Sequence, residues 1–233
     1  MTYLLYGILK TPGVPLESMA GLKGQPVALI SVNGLSAAVS MLPCTEGIQG
    51  IGELMDYRKV VETLHFCQGV IPMRYGCCFD RAAGIERLLQ ERRIQYETLL
   101  GEIWDKAEMG ITVLLPERTY DDETRALVEP SPPKGAAQGR GREYLQCRRT
   151  HYQAIDRATR HCTAMAGHYG RIFAHVCDRY KFEAHKEKPL LSLYFLVQKG
   201  QVGAFRAVFE GCSDKEKDRL LMSGPWPPYN FAC

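Results

Sequence analysis

The sequence predicts an α+β protein in two domains, each an antiparallel or mixed sheet with packed helices. Three observations carry this. A length of 233 residues is enough for two small domains with cores of their own. Short apolar runs and amphipathic periods give the order strand, loop, strand, strand, helix, strand in the first half, and strand, helix, strand, strand, helix, strand in the second. Finally, residues 142 to about 178 keep a three-and-four apolar spacing longer than any other in the chain, so one long helix dominates the second half.

In chain order, residues 2–9, TYLLYGIL, are apolar without polar alternation and predict a central strand buried on both faces. Residues 11–24 carry two prolines and three glycines, which predicts loop with at most one helical turn around Leu16 to Ala20. Pro26 to Val32 and Leu35 to Leu42 flank Asn33-Gly34, a pair that tolerates the positive φ of a type I′ hairpin turn. Ile51, Leu54, Tyr57, Val61 and Leu64 then mark an amphipathic helix to Gln68, which Gly69 ends. Val70 to Phe79, VIPMRYGCCF, predicts a strand at an edge, because Pro72 cannot donate to a ladder. A second helix is expected over residues 80–103, where Ile85, Leu89, Arg92, Tyr96, Leu99 and Ile103 form a seam of period 3.5. This seam is expected to pair with the long helix. The first domain is placed at 1–103.

The second domain, 104–233, begins with a strand at Ile111 to Leu115, stopped by Pro116. Residues 117–141, with Pro130, Pro132 and Pro133, predict a proline-rich loop. The helix after it runs from Arg142 to about residue 178 and would be about 55 Å long at its usual rise, with Gly167 and Gly170 as kink candidates. Arg179 to Glu187 predicts a polar strand, Leu190 to Lys199 a buried one, Gln201 to Glu210 a short helix and Arg219 to Ser223 a last strand. This order is that of a split β-α-β unit, so the second domain is expected to be ferredoxin-like.

The chain ends GPWPPYNFAC, residues 224–233. Pro225, Pro227 and Pro228 fix φ and remove donors, so the segment is stiff and non-helical. Trp226, Tyr229 and Phe231 carry about 150–250 Å² of apolar surface each, too much to leave loose in water. The tail is expected to cover or extend an edge of the C-terminal sheet, and Trp226, Pro227, Pro228, Tyr229 and Phe231 are its candidate partner-binding residues. Arg74 joins them as a charge placed mid-strand, where it is either solvated, paired or part of a recognition surface.

No residue pattern points to catalysis, a cofactor or a metal. The excess of 29 basic over 26 acidic residues is too small to imply a nucleic acid or membrane partner. Nine cysteines form no metal-spaced pairs, and without a secretory leader they are expected as reduced cytosolic thiols. His161, His168 and His175 stand seven apart, about 10 Å along a helix, too far for one ion. The phosphate-loop, dinucleotide and nucleophile-elbow patterns are absent, and GAAQGRG at 135–141 follows a proline loop rather than a strand. Arg140, Arg142, Arg148, Arg149, Arg157 and Arg160 cluster at the start of the long helix, the one feature favouring an RNA-binding module as the alternative function. A thiol enzyme using Cys77 or Cys78 ranks below it.

Six landmarks, taken together, resemble the gas vesicle protein F/L family: YLLYGI (Tyr3 to Ile8), VIPMRYG (Val70 to Gly76), GEIWDKAEMGITV (Gly101 to Val113), REYL (Arg142 to Leu145), LYFLV (Leu193 to Val197) and GPWPPYNF (Gly224 to Phe231). The resemblance covers nearly the whole chain. Cys77 and Cys78 depart from it, since the family more often has a small polar and an aliphatic residue there. What it implies is a cytoplasmic, non-enzymatic accessory protein of gas vesicle assembly. Such a protein binds the hydrophobic shell protein (GvpA-type) and possible further accessory proteins, and takes no nucleic acid, membrane or small-molecule substrate.

Overall fold

The computed structural model describes residues 1–11, 19–43, 50–115, 140–185, 190–213 and 220–232. The fold is α+β, as the sequence predicts. Contacts divide the chain into two compact units, Met1–Glu108 with Gly224–Cys233, and Met109–Ser223. The tail, expected with the C-terminal domain, therefore clusters with the N-terminal residues.

The first unit has strands β1 (Thr2–Lys10), β2 (Ala28–Val32), β3 (Leu35–Leu42), β4 (Ile71–Pro72) and β5 (Cys78–Phe79), with helices α1 (Ile51–Gln68), α2 (Ala82–Glu91) and α3 (Arg93–Ile103). Its sheet runs β2-β3-β1-β4, with β5 also on β1, and every pairing is antiparallel. Pro72 thus lies on an edge strand, where a missing donor costs nothing. Asn33 and Gly34, at φ 51° and 86°, turn β2 into β3, as type I′ geometry requires.

The apolar run of β1 is explained by helices on both its faces. Leu4, Tyr6 and Leu9 pack with Tyr57, Val60, Val61 and Leu64 of α1. Leu5 and Ile8 pack with Ile85 and Leu89 of α2 and Tyr96, Leu100 and Ile103 of α3. Strict alternation would put Tyr6 and Ile8 on one face; the register shift between Leu5 and Gly7 transfers Ile8 to the other. Gly7 is the residue that permits the close passage of β4, because a Cβ there would sit 2.9 Å from the Ile71 carbonyl oxygen.

Several expectations are corrected here. The seam on residues 85–103 faces its own sheet rather than the long helix, because β1 needs a cover on that side. The helix over 80–103 is two, broken at Arg92 (φ −106°, ψ 18°). Val70 to Phe79 is not one strand: a turn at Tyr75-Gly76 separates β4 from β5, so Arg74 lies in a connection and is exposed. On α1 the buried set is Tyr57, Val60, Val61, Leu64 and His65, whereas Ile51 and Leu54 face solvent, 83% and 45% exposed.

The second unit is built on β6 (Lys106–Leu114), α4 (Arg140–Phe173), β7 (Arg179–Ala184), β8 (Leu190–Gln198), α5 (Val202–Ser213) and β9 (Leu220–Trp226). Sheet order is β7-β8-β6-β9, so both sheets follow one path: second, third, first, fourth strand. Its core gathers Met109, Ile111, Val113, Leu191, Leu193, Phe195 and Val197 from the sheet, with Cys162, Ala166, Tyr169 and Phe173 of α4 and Phe205 of α5. The rings of Phe173, Phe195 and Phe205 lie 4.5–5.3 Å apart. The long helix stops at Phe173, not near residue 178, where Val176 N–H donates back to the Phe173 carbonyl at 3.0 Å. The proline-rich loop expected over 117–141 lies outside the described residues, apart from Arg140 and Gly141, which open α4; so do Leu16 to Ser18 of the expected turn and residues 186–187 of the expected strand.

Candidate functional site

Two tail prolines that cannot donate leave their carbonyls to build a turn: Tyr229 N–H donates to the Pro227 carbonyl at 2.8 Å, and Phe231 N–H to the Pro228 carbonyl at 3.1 Å. The compact turn delivers Asn230 to Glu108. Backbone N–H of Asn230 donates to Glu108 Oε2 at 2.8 Å and its side-chain amide donates to Oε1 at 2.7 Å. Glu108 is only 4% exposed, and a buried carboxylate must be hydrogen-bonded to be tolerated. Upstream, the Arg58 guanidinium lies 4.2 Å from the ring centre of Trp226 and pairs with Glu62 at 2.6 Å, one helical turn on. Tyr229 packs against the core shared by β1 and α1, and Ala232 against the core under α2 and α3.

A cleft of about 420 Å³ opens where the tail meets α1, lined by residues of the first unit alone. Leu54, Met55, Tyr57, Arg58 and Glu62 come from α1, Tyr75 from the β4–β5 turn, Glu108 from β6, and Trp226, Pro227, Tyr229 and Asn230 from the tail. Its floor is rigid. The Tyr57 hydroxyl donates to the Met73 carbonyl at 2.8 Å, with the Tyr6 and Leu5 carbonyls at 3.2 and 3.3 Å, and the Tyr57 and Tyr75 rings meet edge to face at 5.1 Å. Burial, with Glu62 nearby, pushes the Tyr229 hydroxyl up to about 12, and burial likewise holds Tyr57 well above the usual range. Both phenols are therefore neutral hydrogen-bonding walls at physiological pH. Leu54 and Met55 of its α1 wall are 45% and 53% accessible, and Ile51, at i−3 and i−4 from them on the same helix, is 83% accessible. The cleft is aromatic, largely apolar and pre-formed.

The candidate residues read from the sequence divide. Trp226, Pro227 and Tyr229 line the cleft. Pro228 and Phe231 are buried, so they anchor the tail and do not present it. Arg74 is exposed outside the cleft lining, and its carbonyl accepts from Cys77 N–H at 3.1 Å. Of the tail expected to cover or extend a sheet edge, Gly224 to Trp226 lie in β9, an edge strand, and Trp226 and Asn230 meet Arg58 and Glu108. Leu54, Met55, Arg58, Glu108 and Asn230 were missed from sequence. The signal available was Met55, an apolar residue off the stripe of Leu54, Tyr57, Val61 and Leu64.

The family described as gas vesicle synthesis protein GvpL/GvpF matches residues 2–233. This chain belongs to the GvpL/GvpF family. Among curated relatives, gas vesicle protein F2 of Halobacterium salinarum is 22% identical over 231 residues, covering 97% of this chain and 89% of the relative. Gas vesicle protein F of a Streptomyces species is 24% identical over 251 residues, covering 99% of each. Crystal structures of GvpF from Anabaena sp. and Microcystis aeruginosa superpose with TM-scores of 0.74 and 0.75 at 17% identity. They cover all of this chain, and this chain spans 96% and 99% of theirs, so the fold is that of solved GvpF proteins.

GvpL/GvpF is a gas vesicle accessory family rather than a known enzyme family. Burial pushes the Cys77 thiol up, the opposite of an activated nucleophile. Among the described residues, no group of three His, Cys, Asp or Glu could hold a metal ion, and His161, His168 and His175 are exposed. Arg148, Arg149 and Arg160 are exposed on α4, with Arg148 held on Tyr152 by a 2.8 Å hydrogen bond; the side chains of Arg140, Arg142 and Arg157 lie outside the described residues. No described helix is long and apolar enough to cross a membrane.

Proposed function

We propose that the protein is a non-enzymatic assembly factor that holds the hydrophobic gas vesicle shell protein (GvpA-type) through the cleft of the first unit and the apolar edge of α1 beside it. The observation that carries this reading is the exposed triplet Ile51, Leu54 and Met55, of which Leu54 and Met55 line the aromatic cleft. Water-exposed aliphatic side chains at i, i+3, i+4 next to a pre-formed groove are the signature of a surface that buries apolar area on a partner. A very apolar shell subunit aggregates if unattended, and occupying its surface until it joins the growing wall prevents that. The outer edges of β2 and β7 offer a second mode of holding it, strand addition. Other gas vesicle accessory proteins are further partners in this reading, the site of action is the cytoplasm at forming vesicles, and the second unit is taken to be ferredoxin-like.

Co-expression with the shell protein tests the proposal. The double substitution Leu54→Asp, Met55→Asp changes two exposed positions and leaves the buried face of α1 intact. Capture of shell protein is expected to fall at least about tenfold, the effect of roughly 1.4 kcal/mol or more of lost apolar contact. Equal capture by variant and parent, both with unchanged circular dichroism, sinks the proposal.

A further inference from the structure

We infer that the groove of the first unit that receives residues 224–232 also recognises that segment in trans, so that two copies of the chain bind each other by exchanging tails. This stands independently of any shell protein.

The tail already docks as a separate ligand would. Asn230 finds its partner 122 positions earlier in sequence, at Glu108, and Trp226 finds Arg58. Its own shape travels with it, because the turn is closed by local hydrogen bonds from Tyr229 to Pro227 and from Phe231 to Pro228. Three prolines restrict the segment before it docks, so little conformational freedom remains to be lost on binding. The chain returns to the first unit at Gly224, whose φ of 106° is one that glycine adopts without strain. A tail from a second copy can make the same three contacts, Trp226 on Arg58, Asn230 on Glu108 and Tyr229 in the α1 core, which is why exchange of an identical element is a low-cost route to a dimer. The tether holds a copy's own tail at an effective concentration on the order of mM, so exchange prevails where many copies are gathered at one place.

Two variants test this. The receptor ends at Ser223 and has an empty groove; the donor is full length with Arg58→Glu and Glu108→Arg, so its own groove rejects its tail. Each alone should sediment as a monomer, and their mixture should give a one-to-one heterodimer that excess synthetic peptide of residues 224–232 dissolves. The labelled peptide should bind the receptor at least tenfold more tightly than a receptor also carrying Glu108→Ala. If the truncated receptor is unfolded by circular dichroism, the full-length chain with Trp226→Ala and Asn230→Ala, whose tail is loosened, replaces it. A folded receptor that binds neither donor nor peptide overturns the inference. So does equal binding with and without Glu108, and so does peptide binding with no heterodimer, since that means the tail cannot swing out at Gly224.

Discussion

Asn230 grips Glu108 with two hydrogen bonds, one from its backbone N–H at 2.8 Å and one from its side-chain amide at 2.7 Å, both within the first unit. A carboxylate at 4% exposure would be costly if these donors left. Hydrogen bonds to a charged group contribute about 1.5–3 kcal/mol each. Asn230→Ala, which removes the side-chain donor, is expected to lower unfolding free energy in denaturant by an amount in that range. Protease sensitivity of the tail should rise with it; an unchanged midpoint and an equally resistant tail would show that the pair contributes nothing.

Alkaline pH should weaken the first unit. Above pH 10 the unfolded chain releases the Tyr229 proton, whereas the folded chain holds it until about pH 12. The unfolded state then binds fewer protons, so stability falls by about 1.4 kcal/mol per pH unit across that window. Tyr57, also raised by burial, adds to the loss. Unfolding free energies between pH 9 and pH 12 should therefore decline less steeply for Tyr229→Phe than for the parent; parallel curves would contradict the assignment.

Gly170 lies under the ring of Tyr180, so close that an added Cβ would overlap it. That ring is stacked on Phe195 at 5.8 Å, so moving it aside towards solvent gives up the stacking contact. Gly170→Ala is expected to destabilise the second unit by about 1–3 kcal/mol. Adding Tyr180→Ala should restore most of that, a coupling that a double-mutant cycle reads directly.

Thiol reactivity should follow burial. Cys67 and Cys78 are exposed, while Cys77 is half-buried; burial pushes the thiols of both Cys77 and Cys78 up, so exposure is what separates the pair. Native alkylation followed by mass spectrometry should label Cys67 and Cys78 before Cys77. Preferential labelling of Cys77 would revive a nucleophilic role for it.

Much of the fold was legible because local chemistry dictates it. Asn33-Gly34 specified its hairpin, since few other pairs tolerate two positive φ angles. The helix Ile51–Gln68 matches its expected bounds, with Gly69 at φ 66° as its stop. Where the reading slipped, long-range packing had overruled local pattern. Lys106 and Glu108 look unlike a strand start, yet β6 begins there because the tail satisfies the Glu108 carboxylate. VIPMRYGCCF looks like one strand and is two, because β1 accepts it only at Ile71–Pro72 and Cys78–Phe79.

The tail shows the same division. Sequence by itself determined that residues 224–232 are stiff, non-helical and too aromatic to stay in water, since proline φ and apolar area are properties of the residues alone. Which surface receives them was decided only in three dimensions. Arg58, Glu108 and the α1 core are brought together by strand pairing across more than a hundred positions, and no local period in the chain records that meeting.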